Sequence, residues 1–476
     1  MSFPYLAAHI MNHQPQLNRS LGLTAVIVLV VGNIVGSGVY KKVAPMAAEL
    51  HSSGWVLVSW IIAGIVSLLG AFCYAEVSGL LADTGGEYAY YKKIYNKFFA
   101  YMFGWSCFAV IQSASIASLA YVSAESFHSL IPYGPLGEGW EQINIGGIIY
   151  PFADLHIKLF AVAQIILLTW LNTKGLKSGT GFSTALMILI FTGILFIVIF
   201  GLSSNSSDIS RVVSMETSNG SLVSFSAVFT AMLAAFWAYQ GWATTCMLGG
   251  EIKNVHRTLP IGITTGVLVV ITIYLLVNST YLSLLSVDEL EAIKLSGNRI
   301  AAIEAVKVFG GNTGAILISI LIFITALGCT NATILTTCRS YYAMAKEGLF
   351  FKPVSKLNKS SVPGNSLLYQ CVWSCLLVFS GSFDQLTDMV IFAIFIFYGA
   401  TALGVIMLRK KMPDAHRPFK VWGYPVVPIL FVIFCISLFI NTIYTRPREA
   451  MLGISLMLAG VPLFYYFNKK HKHQVD

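Results

Sequence analysis

Charged side chains are scarce in this sequence: 21 acidic and 30 basic residues stand among 476, or 11%. Soluble proteins carry about 25%, so a chain bathed by water on every side is excluded. Also missing is any sustained ten-residue alternation of apolar and polar residues, which excludes a transmembrane β-barrel. The eight cysteines form no CxxC pair and have no histidine at ligand spacing. They read as small core residues, and no metal site is expected. Neither an HExxH nor a Ser/His/Asp set on facing segments occurs, so an enzyme is not expected, nor any cofactor. Residues 1–20 lack the long apolar core of a signal peptide.

What fills the chain is apolar residues, 56% of it. Stretches of about 20 residues, enough to cross a hydrocarbon core as a helix, recur from Leu21 to Phe467. Run length places twelve spans near 21–50, 55–82, 98–131, 156–172, 179–203, 222–250, 260–286, 312–345, 367–381, 385–409, 424–445 and 450–468. The expected organisation is a cytoplasmic segment 1–20, one transmembrane domain 21–468 and a basic tail 469–476. Cytoplasmic loops retain positive charge. With both termini inside, 21 of the 30 lysines and arginines fall in cytoplasmic segments. The net charge of +9 is then a signal of topology in a cell membrane. The lipid bilayer is the expected surrounding, and nucleic acid is not an expected partner.

Two spans are interrupted. Span 1 contains Gly36-Ser37-Gly38, which removes helix propensity in mid-membrane, and span 6 carries a lone Gly241 among Trp237, Tyr239 and Trp242. Glycine-interrupted spans at matching places in two halves point to a transporter's substrate site. An unwound turn frees backbone groups that lipid cannot satisfy, so it survives where it lines a cavity. A half-helix starting near Ser37 aims free amides and a positive dipole end at an anion such as a carboxylate. Carbonyls around Asn33, Ile34, Phe236 and Trp237 suit an ammonium group. Taken alone, Gly32 and Gly36 form a GxxxG that equally serves close helix packing.

These residues sit in stretches that resemble a known family. They are Gly-Ser-Gly-Val-Tyr at 36–40, Cys-Tyr-Ala-Glu at 73–76, Thr-Gly-Gly-Glu-Tyr-Ala-Tyr at 84–90 and Trp-Ala-Tyr-Gln-Gly-Trp at 237–242. Glu-Ile-Lys-Asn-Val-His-Arg-Thr-Leu-Pro at 251–260, Arg-Ser-Tyr-Tyr-Ala-Met-Ala-Lys-Glu-Gly at 339–348 and Arg-Pro-Phe-Lys-Val-Trp-Gly-Tyr-Pro at 417–425 follow in order. From about residue 20 to 468 the chain resembles the amino acid-polyamine-organocation superfamily, and within it the L-type amino-acid transporters and exchangers. The resemblance implies an all-α membrane fold of two inverted five-helix repeats, with helices 1 and 6 broken, plus two terminal helices. It implies an amino-acid substrate contacted by Ile34, Gly36, Ser37, Gly38 and Val39, under an aromatic gate at Trp237. Phe236 and Tyr239 flank that gate, and Ser115, Asn331 and Phe395 are weaker candidates from spans 3, 8 and 10. A valine at Gly38 is expected to abolish uptake and spare the fold.

The chain also departs from that pattern. Lys41 and Lys42 enter the outer half of span 1, either snorkelling or pairing with Glu49, or facing an outer vestibule. The loop at 126–155 has no cysteine, whereas animal members tether a heavy subunit there, so no disulfide-linked heavy subunit is expected. Glu76, near the inner end of span 2, reads as a gate acid paired with a base such as Arg339. Many members carry a lysine in mid-span 5, but Ser183–Ile194 holds none. Thr333, Thr336 and Thr337, with carbonyls at Gly32 and Asn33, could instead form an oxygen cage for sodium. Threonines that bond their own i−4 carbonyl are the alternative, with sodium-independent exchange or proton-linked uptake. No mid-span acid stands beside the breaks, which favours neutral amino acids. A sensor of the same fold would share the pocket. It would be expected to carry a signalling extension, whereas about eight residues follow the last span.

Overall fold

The computed structural model describes residues 21–475 apart from 82–85, 133, 135–138, 175–179, 221, 298 and 360–361. The expected segment 1–20 lies outside the described residues. Among those described, the secondary structure is helical, with two isolated β-bridges and no strand. The first half runs α1 (Leu23–Ile34), α2 (Gly38–Lys41), α3 (Val43–Leu50), α4 (Ser53–Leu81), α5 (Gly86–Ile94), α6 (Lys97–Ser106), α7 (Gln112–Leu130), α8 (Leu155–Thr173) and α9 (Thr180–Leu202). A short α10 (Ile209–Val212) precedes α11 (Phe225–Tyr239), a 3-10 segment Trp242–Glu251, α12 (Val255–Leu284) and α13 (Val287–Ser296). Then come α14 (Ala301–Lys346), α15 (Gly364–Val378), α16 (Phe383–Lys411), α17 (Val426–Thr445), α18 (Pro447–Leu458) and α19 (Gly460–Val475).

Eight helical stretches among the described residues are long and apolar enough to cross a membrane. They are α4, α6 with α7, α8, α12, α14, α16, α17, and α18 with α19 as far as Lys469. Shorter apolar helices stand at Leu23–Ile34 and Met187–Leu202. The protein therefore passes through the bilayer several times. On α17, Ile429, Ile433, Ile436 and Ile440 are exposed while Phe431, Cys435, Leu438 and Thr442 are buried. That three-and-four spacing gives one face to lipid and the other to α16 and α4. On α7, by contrast, Ala114, Ser115, Ala117, Ser118 and Ser123 are all buried, as in a central helix. Small side chains let α14, α16, α15 and α8 approach it closely.

Helix ends follow local chemistry. Ser382 with Gln385, and Ser286 with Glu289, form capping boxes that start α16 and α13. α14 begins earlier than the expected 312, but Gly311 at φ 58° and ψ −157° turns the chain there. The span proper thus starts at the expected place. α19 runs on to Val475, past the expected boundary at 468. Cys107–Ile111 forms a π turn, a form found often at functional sites. Ser113 Oγ donates to the Phe108 carbonyl across it at 2.7 Å.

Candidate substrate site

Both glycine-rich stretches are broken helices, and the breaks touch. α1 stops at Ile34, and helical backbone resumes at Ser37–Gly38 and continues through Lys42 into α3. α11 stops at Tyr239, and Gly241 at φ 126° redirects the chain into the 3-10 segment. A Cβ added at Gly38 would lie 2.6 Å from Ala238 Cα, and one at Gly241 would lie 2.2 Å from the Asn33 carbonyl oxygen. Each break therefore needs a glycine to admit the backbone of the other. The Tyr274 hydroxyl from α12 stands 3.0 Å from the Ile34 carbonyl and 2.8 Å from that of Ala238, and shares its proton between them. α1 and the 3-10 segment also stay joined at their ends away from the breaks. Leu21 and Ile252 form a parallel bridge, and Lys253 N donates to the Leu21 carbonyl at 2.9 Å.

Between the breaks lies a cavity of about 200 Å³. Its walls are Gly32 to Gly38 from the first break and Trp237, Gln240, Gly241 and Thr244 from the second. α7 adds Gln112, Ser115 and Leu119, and α14 adds Cys329, Ala332 and Thr333. Among the described residues the amides of Gly36, Ser37 and Gly38 meet no backbone acceptor, and the buried Ser37 hydroxyl has no partner. Unpaired donors at a buried helix start are costly unless something fills the space beside them. No charged side chain lines the cavity. The sequence matches the amino acid permease family over residues 21–466. The chain belongs to that family.

Several curated relatives align with the permease over nearly its whole length. It is 29% identical over 457 residues to the serine/threonine exchanger SteT of Bacillus subtilis (strain 168), covering 95% of this chain and 98% of the relative. It is 26% identical over 462 residues to the human b(0,+)-type amino acid transporter 1, covering 96% and 89%. Against the human large neutral amino acids transporter small subunit 2 it is 26% identical over 471 residues, covering 96% and 82%. The permease is thus a multi-pass amino-acid transporter and not an enzyme.

Of the residues singled out in the sequence, Gly32, Asn33, Ile34, Gly36, Ser37, Gly38, Ser115, Trp237 and Thr333 line the cavity. Others are placed elsewhere. The rings of Phe236 and Phe395 pack on each other at 4.6 Å, and the Tyr239 hydroxyl donates to the Trp60 carbonyl. Val39 is buried in the core, and Asn331 accepts from Asn172 of α8 at 2.8 Å. Thr333, Thr336 and Thr337 each donate to their own i−4 carbonyl, and Thr336 faces outward. From α9, the side chain that meets Gly32 is Met187, whose thioether supplies no proton. Sequence reasoning missed Gln112, Gln240 and Thr244. The polar residues at the π turn and beside Gly241 were the available signal.

The expected gate acid and the two lysines of span 1 take other partners. Glu76 pairs with Arg409, not with the exposed Arg339: Arg409 Nε and Nη2 reach its two oxygens at 2.8 and 2.7 Å. Arg417 stands at 3.4 Å and the Val421 amide donates at 2.7 Å. Lys41 and Lys42 neither snorkel nor pair with Glu49, which holds Arg446. Lys41 binds both oxygens of buried Glu125 on α7. Lys42 reaches Asp384 at 2.7 Å and Thr387 at 2.6 Å on α16. Lys294 of α13 takes the other oxygen of Asp384. Both lysine heads lie over the Phe383 ring, which meets Trp237 edge-on at 6.1 Å.

Proposed function

We propose that this permease carries neutral L-amino acids by alternating access through the cavity between its two breaks. The observation that carries this reading is the uncharged cavity whose wall holds the free amides of Gly36, Ser37 and Gly38 beside the unpartnered Ser37 hydroxyl. Those donors suit a substrate carboxylate, and uncharged walls favour a side chain without charge. One relative is named an exchanger of serine and threonine and another a transporter of large neutral amino acids, in keeping with both neutrality and exchange.

Twelve spans in two inverted five-helix repeats plus two terminal helices accommodate this helix order, with α1–α3 and α11 plus the 3-10 segment as broken members. We place both termini in the cytoplasm and the protein in the cell membrane, acting without a disulfide-linked heavy subunit. On that reading the lysine pairs, Phe383 and Trp237 close the outer side. The test is uptake of one labelled neutral amino acid into liposomes holding the pure protein, in competition with each of the twenty amino acids. Neutral L-amino acids should compete, and cationic or acidic ones should not. Binding without flux would instead mark a sensor.

A further inference from the structure

Two acids are buried where span 2 ends, and their surroundings are opposite. Glu76 sits among Arg409, Arg417 and a backbone amide. Glu87, in the first turn of α5 between α4 and α6 and outside the spanning helices, is 5% exposed and meets no cation among the described residues. Among the described residues its hydrogen bond comes from the Tyr74 hydroxyl of α4, at 2.6 Å on Oε1. The lysines nearby are turned elsewhere: Lys92 toward Glu347, and Lys97 of α6 toward Asn468. α5 packs against α4, α6, α16 and the 3-10 segment. The titratable groups that face Glu87 from these and from its own helix are Tyr74, Tyr90, Tyr91, Cys107, Cys246 and Tyr398. All are phenols or thiols, neutral at physiological pH in their ordinary range.

Among the described residues a carboxylate enclosed by such groups has only the Tyr74 hydrogen bond to offset its lost hydration, so the neutral acid is favoured. Burial pushes the Glu87 carboxyl up to about 7, and the Tyr74 hydrogen bond pulls weakly the other way. The site is also wired to the cavity. Tyr74 lies 3.3 Å from the Tyr91 hydroxyl, which reaches Thr401 and the Phe397 carbonyl of α16. Trp242, the residue after Gly241, sets its ring edge-on against Tyr74 at 4.8 Å. Trp242 thus covers one side of Tyr74 and Tyr398 another. A swing of the 3-10 segment that lifts Trp242 would open a path for water to Glu87, and hydration of the carboxylate favours loss of its proton.

We propose that Glu87 takes up and releases one proton in each transport cycle, with the packing of Trp242 on Tyr74 as its link to the amino-acid cavity. The step is simple protonation: a hydronium proton adds to the carboxylate oxygen that Tyr74 does not hold, and leaves again to water. This rests on the transport reading and supplies its co-substrate, which binds at a residue outside the amino-acid site.

Two readouts test it on the full chain in lipid vesicles. Infrared difference spectra across a pH titration should show a carboxylic-acid band that titrates near neutrality and is absent in Glu87→Gln. Tyr74→Phe should move that midpoint upward, because it removes a bond made to the charged form. Counterflow of labelled L-threonine and L-leucine should change about tenfold between pH 6 and pH 8, the ratio of protonated populations about a neutral midpoint. Whatever counterflow Glu87→Gln retains should vary less than twofold. A band that survives Glu87→Gln, or titrates in the ordinary carboxylate range, overturns the proposal, and the infrared result decides even where a variant moves no amino acid. A titrating Glu87 in a chain that moves neither amino acid would keep the proton site and remove the transport reading. Transport at a pH-independent rate with no such band would do the reverse.

Discussion

At Gly38 the sequence and the structure disagree about what a valine would do. From the sequence, Gly38 reads as a residue whose backbone amide matters and whose replacement by valine leaves folding nearly normal. The 2.6 Å approach to Ala238 Cα shows that any side chain there separates the two broken helices, so Gly38→Val should fail to fold and cannot test binding. Gly36 can. A Cβ on Gly36 meets only the Ile34 carbonyl, at 4.0 Å, and Gly36 lines the cavity. Gly36→Ala keeps its amide but adds a methyl at the cavity wall, so it should express and melt like the parent yet bind substrate at least about tenfold more weakly, as a carboxylate pushed off one charge-assisted hydrogen bond would. A competition assay would measure it, and unchanged affinity would remove the first break from the site. Trp237 lines the cavity, and on the proposed reading it closes over the substrate, so Trp237→Ala should weaken binding of an amino acid by at least about 1 kcal/mol.

The paired lysines of α2 and its continuation carry the lesson at the scale of elements. Their presence on a membrane helix was plain in the sequence, and so was the need for partners. Which partners was not legible, because Glu125 and Asp384 lie on α7 and α16 and only the fold brings them together. The same holds for Glu76, whose bases come from the far end of α16 and the loop beyond it. The breaks could be read because glycine acts locally on backbone propensity. That Asn331, Phe395 and Tyr239 do not line the cavity was not legible, because choosing among the faces of a largely apolar helix needs its neighbours. Glu125→Gln leaves Lys41 buried without a counter-charge and should cost about 3–5 kcal/mol in thermal or detergent unfolding. The double variant Lys41→Met with Glu125→Leu should recover most of that. A double variant no better than the single one would show that the loss does not come from leaving Lys41 unpaired.

For the molecule as a whole, the coupling ion separates the readings left open by the missing lysine in α9. Thr336 faces outward and Thr337 does not reach the cavity, so an oxygen cage built from all three threonines does not assemble around Gly32 and Asn33. Replacing external sodium by choline at fixed pH should leave initial uptake unchanged. A steep loss that Thr337→Ala reproduces would restore sodium as the partner.

The bridge between Leu21 and Ile252 bears on how many parts of the machine move independently. α1, which leads into the first break, and the 3-10 segment, which leaves the second, are clasped at both ends, by Gly241 against Asn33 at one and by this bridge at the other. Mechanically they form a single lever with one degree of freedom. A permanent staple across its tip, made by cross-linking Leu21→Cys to Ile252→Cys, should therefore leave turnover as it was.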